Sequence, residues 1–361
     1  MTATLTLRPL GIDGPAAAAD GRPLAGGPRV FTVVEATVRE GGRELARAVV
    51  APASAPGWAA RVAPGLAEQA EALLARLSAP RPPYAGLTVE RPRIMGVINV
   101  TPDSFSDGGE RFDAGRAAAD GFAMIEAGAA MLDVGGESTR PGAEPVSVEE
   151  EMRRTVPVVR ALADGGAPVS IDTRRARVMA AALEAGARIV NDVTALAGDP
   201  ASLALVAEAE ACVVLMHMQG EPRTMQADPS YDDAALDIFD FLADRIAACE
   251  AAGIPRARIA VDPGIGFGKT VEHNLQILDQ VAVYQGFGCP VLLGVSRKSF
   301  IGRISRGEAP KARLPGSLAA ALAALDRGVQ IVRVHDVAET AQALAVWRAI
   351  HGGGSAAGAG P

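Results

Sequence analysis

Ile94-Met-Gly-Val-Ile-Asn-Val-Thr-Pro-Asp-Ser-Phe-Ser-Asp-Gly-Gly109 begins as an apolar strand and breaks abruptly into small, polar and turn-forming residues. A plain strand-to-helix turn needs two to six residues. This one is about twice that length, rich in oxygen and amide groups around Pro102, Gly108 and Gly109. Long polar loops held by a rigid strand are where binding and catalytic groups concentrate. Residues 113–128 then carry Ala-rich helical spacing, so the stretch opens a strand–loop–helix unit.

Working outward, the same unit recurs. Continuous apolar runs at 93–98, 130–134, 168–172, 188–191, 212–217, 258–262, 291–295 and 330–334 have the character of strands buried on both faces. Helical spacing follows each, near 113–128, 147–163, 174–185, 200–209, 231–252, 271–285, 315–327 and 336–350. Eight strand–helix pairs predict a closed (β/α)8 TIM barrel over 91–351, within the ~250 residues typical of that fold. Residues 1–90 stand outside the alternation as a small N-terminal α/β appendage. Residues 11–28 read as a mobile lead. Phe31–Val38 and Glu44–Val50 flank Gly41-Gly42 as a hairpin, Trp58 to Leu77 reads as one helix, and Ala79-Pro-Arg-Pro-Pro83 reads as a stiff linker. The last ten residues, 352–361, are almost all Gly, Ala and Pro and are expected to be disordered.

Composition narrows the function. A net charge of −7 opposes nucleic-acid binding, which needs a basic face. No apolar run reaches eighteen residues and the N-terminus lacks a basic-then-apolar leader, so neither a membrane partner nor secretion is expected. Cys212, Cys249 and Cys289 are widely separated, which fits neither a zinc site nor a disulfide framework and agrees with a cytoplasmic location.

In a barrel, functional groups sit at the carboxyl ends of the strands. Here nearly every strand is followed by polar residues: Asn99, Gly135-Gly-Glu-Ser-Thr-Arg-Pro-Gly142, Asp172-Thr173, Asn191-Asp192, Met216-His-Met218, Asp262-Pro-Gly-Ile-Gly-Phe-Gly-Lys269, Ser296-Arg-Lys298 and Arg333-Val-His335. Singly, each has a bland explanation. Asp172 and Asp192 suit helix N-caps, Glu149 to Glu151 a solvated helix start, His217 a satisfied core position, Met216 and Met218 packing, and Lys269 the surface. Gly264, Gly266 and Gly268 form only a weak nucleotide fingerprint. Jointly, they put acids, amides and cations on one rim. Asp172, Asn191 and Asp262 suit a flat nitrogen heterocycle with several N–H donors. Arg140, Arg297, Lys298, Arg333 and His335 suit a phosphate or diphosphate.

These motifs, taken in order over roughly 93–350, resemble those of the dihydropteroate synthase family, folate-pathway transferases that join 6-hydroxymethyl-7,8-dihydropterin pyrophosphate to p-aminobenzoate. The resemblance implies a pterin pocket of Asp172, Asn191, Met216, Asp262, Phe267, Lys298 and Arg333. It further implies a pyrophosphate site of Asn99, Arg333 and His335 with Mg²⁺ on Asn99. The p-aminobenzoate pocket would be Asp103, Phe105, Thr139, Arg140, Pro141 and Ser296, with catalysis resting on Asn99, Asp172, Lys298, Arg333 and His335. A homodimer formed through outer helices and sensitivity to sulfonamides are implied as well. The alternatives are a folate-binding corrinoid methyltransferase on the same barrel, a non-catalytic pterin-binding paralogue, and an aldolase with Lys298 as a Schiff-base lysine.

Overall fold

The computed structural model describes residues 3–14, 21–100, 114–137, 146–221 and 224–351. The N-terminal unit is built on a three-stranded antiparallel sheet of β1 (Thr4–Leu10), β4 (Val33–Glu40) and β5 (Arg43–Val50), with β4 central. The expected hairpin is β4–β5. Gly41 and Gly42 both adopt positive φ, as a two-residue turn between right-twisted strands requires. Strand β1 was not anticipated, although the alternation Thr4-Leu-Thr-Leu7 carries its signal. Two short strands, β2 (Arg22–Pro23) and β3 (Val30–Phe31), pair antiparallel. Residues 21–28 are therefore held in place rather than forming part of a mobile lead. Leu24 and Ala25 are buried, and the Ala25 N–H donates to Leu77 O at 2.7 Å.

The helix expected over Trp58–Leu77 is two, α1 (Ala55–Val62) and α2 (Leu66–Ser78). Pro64 forces the residue before it out of helical conformation, and Ala63 is fully extended. Helix α2 lays Leu66, Ala70, Leu73, Leu74 and Leu77 against Leu5, Leu7, Val34, Ala36 and Val38 of the sheet, a separate small core.

Eight parallel strands follow: β6 (Arg93–Asn99), β7 (Met131–Gly135), β8 (Val169–Asp172), β9 (Ile189–Asp192), β10 (Cys212–Met216), β11 (Ile259–Asp262), β12 (Leu292–Leu293) and β13 (Ile331–Val334). They are hydrogen-bonded in the order β11-β10-β9-β8-β7-β6-β13-β12. A parallel bridge between Val261 and Val291 closes the ring. All but β12 fall within one residue of the expected bounds. Strand β12 ends two residues before its expected bound, at Leu293. The surrounding helices are α3 (Ala114–Glu126), α4 (Val148–Asp164), α5 (Ala176–Glu184), α6 (Ser202–Glu208), α7 (Ala234–Ala251), α8 (Val271–Gln280), α9 (Ser299–Ile304), α10 (Leu314–Asp326) and α11 (Val337–Ile350). Helix α9 is an addition to the eight expected helices. The helix expected to reach 285 tightens after Gln280 into a 3-10 segment, Val281–Phe287, against which β1 and α2 pack.

Inside the barrel, side chains alternate in layers. The lower layer is Met95, Met131, Ile189, Val214, Ala260, Leu292 and Ile331, all fully buried. Below it sit Tyr84 and Val89. The residues from Tyr84 on, directly after the expected linker, thus plug the barrel's amino end, pinned by Tyr84–Leu87 pairing. Within the linker the prolines are exposed, while Arg81 is buried and donates to the carbonyls of Arg76, Ala79 and Gln285. Among the described residues no helix is long and apolar enough to cross a membrane.

Candidate active site

Two residues further along each strand, the inward positions change character. Above Met131, Ile189, Ala260 and Ile331 stand Asp133, Asn191, Asp262 and Arg333. Asp172 ends β8, and Lys298 follows β12. Arg333 organises the layer. Its Nε donates to Asp133 Oδ2 at 2.6 Å and its Nη2 to Asp172 Oδ2 at 2.7 Å, while Asn191 Nδ2 donates to Asp133 Oδ2 at 2.9 Å. Burial acts to discharge Arg333, but Asp133 and Asp172 outweigh it and raise its pKa above the ordinary value. Burial lifts Asp172 to about 7 against the pull of Arg333, with Asp133 adding to the rise. One guanidinium therefore serves two carboxylates.

Across the mouth, Asp262 Oδ1 accepts the Gly264 N–H at 2.7 Å, and burial raises its pKa against that bond and against Lys298. Lys298 Nζ lies 4.1 Å from the centroid of the Phe267 ring, a cation–π contact. Burial brings its pKa down to about 8, with Asp262 opposing. The loop that carries Phe267 needs its glycines for room and for backbone conformation. Gly264 has φ +70°, and a Cβ there would fall 2.0 Å from His217 O; at Gly268, φ +61°, it would fall 2.4 Å from Gln219 O. Close approach to the loop after β10 accounts for the pattern, and a nucleotide is not required. Lys269 is not a surface residue but is buried. Its ammonium donates to Phe267 O at 2.8 Å and His217 O at 3.4 Å and lies 3.1 Å from His217 Nδ1, tying the two loops together.

Asp172, Asn191, Met216, Asp262, Phe267, Lys298 and Arg333 line one cavity at the carboxyl end of the barrel, as the sequence led us to expect. Asn99 ends β6 at the same rim, paired in register with Gly135. Ser296 and His335 meet, Ser296 Oγ lying 3.1 Å from His335 Nδ1. Burial and the neighbouring Arg333 lower the His335 pKa to about 4, so at neutral pH it is an uncharged imidazole. Asp103, Phe105, Thr139, Arg140 and Pro141 lie outside the described residues.

Several bland readings fail. Asp172 caps no helix, since α5 has Arg175 at its N-cap and no side-chain cap bond. Glu151 is not solvated but 1% exposed, and pairs with Arg175 at 2.9 Å. Arg297, offered as a phosphate cation, has its guanidinium engaged by Asp336 instead. Asp192 does act locally, accepting from Thr194 N and Leu196 N. Asp133 was missed altogether. Its signal was a single acid in the otherwise apolar run Met131-Leu-Asp-Val-Gly135, at an inward position fixed by strand alternation.

Known proteins with this arrangement agree on one family. The pattern of the family described as "Pterin binding enzyme" matches residues 95–335. The dihydropteroate synthase of Escherichia coli strain K12 is 46% identical over 261 residues, covering 72% of this chain and 92% of that protein. Among solved structures, Xanthomonas albilineans dihydropteroate synthase with 4-aminobenzoic acid superposes with a TM-score of 0.70 at 48% identity, over 75% of this chain and 98% of that one. The same enzyme in complex with 7,8-dihydropteroate gives 0.68 at 46% identity, over the same shares of the two chains. An eight-stranded barrel with acids, an amide and cations gathered at its mouth, and this degree of identity across it, place the chain in the dihydropteroate synthase family of pterin-binding enzymes.

Proposed function

We propose that this chain condenses 6-hydroxymethyl-7,8-dihydropterin pyrophosphate with p-aminobenzoate, releasing pyrophosphate and 7,8-dihydropteroate in cytoplasmic folate biosynthesis. The observation that carries this reading is the single cavity in which Asp172, Asn191 and Asp262 face Lys298 and Arg333. A pterin offers ring N–H groups to carboxylates and ring acceptors to an amide and an ammonium. Buried Asp133 Oδ1, without a hydrogen-bond partner among the described residues, has further accepting capacity in the same layer. A site built on such bonds discriminates strongly against analogues that lack them.

In the reaction the pterin methylene C–O bond to diphosphate breaks, the p-aminobenzoate nitrogen forms the new C–N bond, and the amine then loses a proton. Bond breaking runs ahead of bond making, because the ring stabilises the cation at the methylene. No protein nucleophile is needed. Catalysis rests on positioning and on cations facing the departing diphosphate, Arg333 foremost, with His335 donating as a neutral imidazole. The family resemblance assigns the p-aminobenzoate pocket to Asp103, Phe105, Thr139, Arg140, Pro141 and Ser296, and a closed pocket would exclude water that captures the cation.

Among the described residues no three acids, thiols or imidazoles gather around a metal. Mg²⁺ belongs to the same reading: it prefers few protein ligands plus phosphate oxygens, and the Asn99 amide oxygen would be its protein ligand. When bound, the ion neutralises diphosphate charge. A homodimer formed through outer helices belongs to the same reading and is supported by Val346 and Ile350, large apolar side chains exposed on α11.

The test is pyrophosphate release that requires both substrates together. In Arg333→Ala, affinity for the pterin pyrophosphate should fall by roughly ten- to a hundredfold, and p-aminobenzoate affinity should change little. Equal losses for the two substrates would contradict the assignment.

A further inference from the structure

A second cavity, about 360 Å³ and so within the range of small-molecule sites, lies at the end of the barrel opposite the pterin pocket. Three segments outside the matched span 95–335 help to build it: Leu24 to Arg29 of the N-terminal unit, Val89 to Pro92 of the plug, and Trp347 to His351 at the end of α11. The barrel contributes Leu325 and the residues Gly328 to Gln330 that lead into β13. Leu24, Val89, Leu325, Val329 and Trp347 give it an apolar lining.

Its charge is opposite to that of the whole protein. Arg29, Arg91 and Arg348 line it against Glu90, with Asp326 behind Arg29, which leaves a local excess of one positive charge on a chain of net −7. The arginines are incompletely matched. Arg348 Nη2 donates to the Pro92 carbonyl at 2.8 Å, and among the described residues it forms no ion pair. Its guanidinium is lowered in pKa by burial and by Arg93 and Arg91 beside it. Arg29 gives its two terminal nitrogens to the carbonyls of Leu325 and Ile12, with Asp326 at 3.6 Å. That carboxylate is already shared, accepting from Trp347 Nε1 at 2.8 Å and standing 3.4 Å from His351. The Nε atoms of both Arg29 and Arg348 are buried without hydrogen-bond partners among the described residues.

We propose that this junction cavity is a second ligand site, selective for a small organic anion that presents one acidic group to Arg348 and Arg91 and rests an apolar body on Trp347, Val329 and Leu24. Apolar lining accounts for the body and unpaired guanidinium charge for the acid. The N-terminal unit thereby gains a role, because without Leu24 to Arg29 the cavity has no outer wall.

Fluorescence titration of the full chain with 8-anilinonaphthalene-1-sulfonate, which joins one sulfonate to an apolar ring system, tests this directly. One saturable site per chain is expected, undisturbed by saturating pterin pyrophosphate. Uncharged N-phenyl-1-naphthylamine should bind at least tenfold more weakly, and Arg348→Gln should weaken the sulfonate tenfold or more while leaving the neutral probe unchanged. Gly27→Trp, at a glycine whose added Cβ meets only ordinary contacts at 3.4 and 3.5 Å, should fill the cavity and abolish both. Both variants should retain synthase activity. Absence of saturable binding, displacement by the pterin substrate, or equal affinities for the two probes would overturn the proposal. If Gly27→Trp does not fold, the charge comparison with Arg348→Gln still decides it.

Discussion

The two ends of the barrel are made by the same eight strands, and they differ by one step of two residues along each strand. Met131 and Ile189 face a dry interior sealed by Tyr84, whereas Asp133 and Asn191, two positions on, face one another through hydrogen bonds and share Asp133 with Arg333. The lower layer is held by close packing, whose cost of disruption depends on volume removed. The upper layer is held by a charged network whose members are costly to bury unless every partner is present. Both layers therefore contribute stability but only the upper one carries function, and substitution at corresponding heights should give different kinds of loss.

The sharpest contrast lies at Asp133. Asp133→Ala leaves Arg333 with Asp172 alone and strips Asn191 of its acceptor, so we expect about 3–5 kcal/mol of lost stability together with a fall of a hundredfold or more in kcat/KM. Urea unfolding and steady-state kinetics measure both, and a loss below about 1 kcal/mol would show that the network is not what holds this layer. Met95→Ala, in the lower layer, should cost about 2–4 kcal/mol by leaving a cavity while KM for both substrates is retained. A selective rise in the pterin KM would break the separation.

Acid should find the upper end first. His335 and His217 have pKa values lowered to about 4 and about 3, by burial first and then by Arg333 and Lys269 respectively. Between those values and about 6.5 the unfolded chain binds more protons, so stability falls as pH drops through that window. His335→Gln should remove ~1–2 kcal/mol of the pH-dependent loss between pH 6.5 and 4, read from urea midpoints at each pH. An unchanged slope would move the titration elsewhere. The smallest effect is predicted for Tyr84→Phe. The Tyr84 hydroxyl is buried without a partner among the described residues, so its removal should leave stability unchanged or raise it by up to about 1 kcal/mol. A loss above 1 kcal/mol would reveal a bound partner for that oxygen.

Much of the barrel was legible beforehand because its signals are local: apolar runs of strand length, helical spacing and polar residues directly after each run. Prolines mark where this reading erred. Pro64 splits the appendage helix, and beside the exposed Pro80, Pro82 and Pro83 the burial of Arg81 and Tyr84 was not foreseen. That burial depends on partners some two hundred residues away on the barrel. Arg297 illustrates the same limit within the site, since its charge is visible in sequence but its commitment to Asp336 is not.

Sequence by itself determined the eightfold alternation and the chemical inventory of the rim, because hydrophobic period and residue type are properties of neighbouring positions. Only the tertiary structure decided that Asp133 and Asp172 share one guanidinium, that Lys269 is buried between two loops, and that the N-terminal segments enclose a second, cationic cavity. Those outcomes depend on distances between strands and on which charges lose their water, and such quantities exist only once the ring has closed.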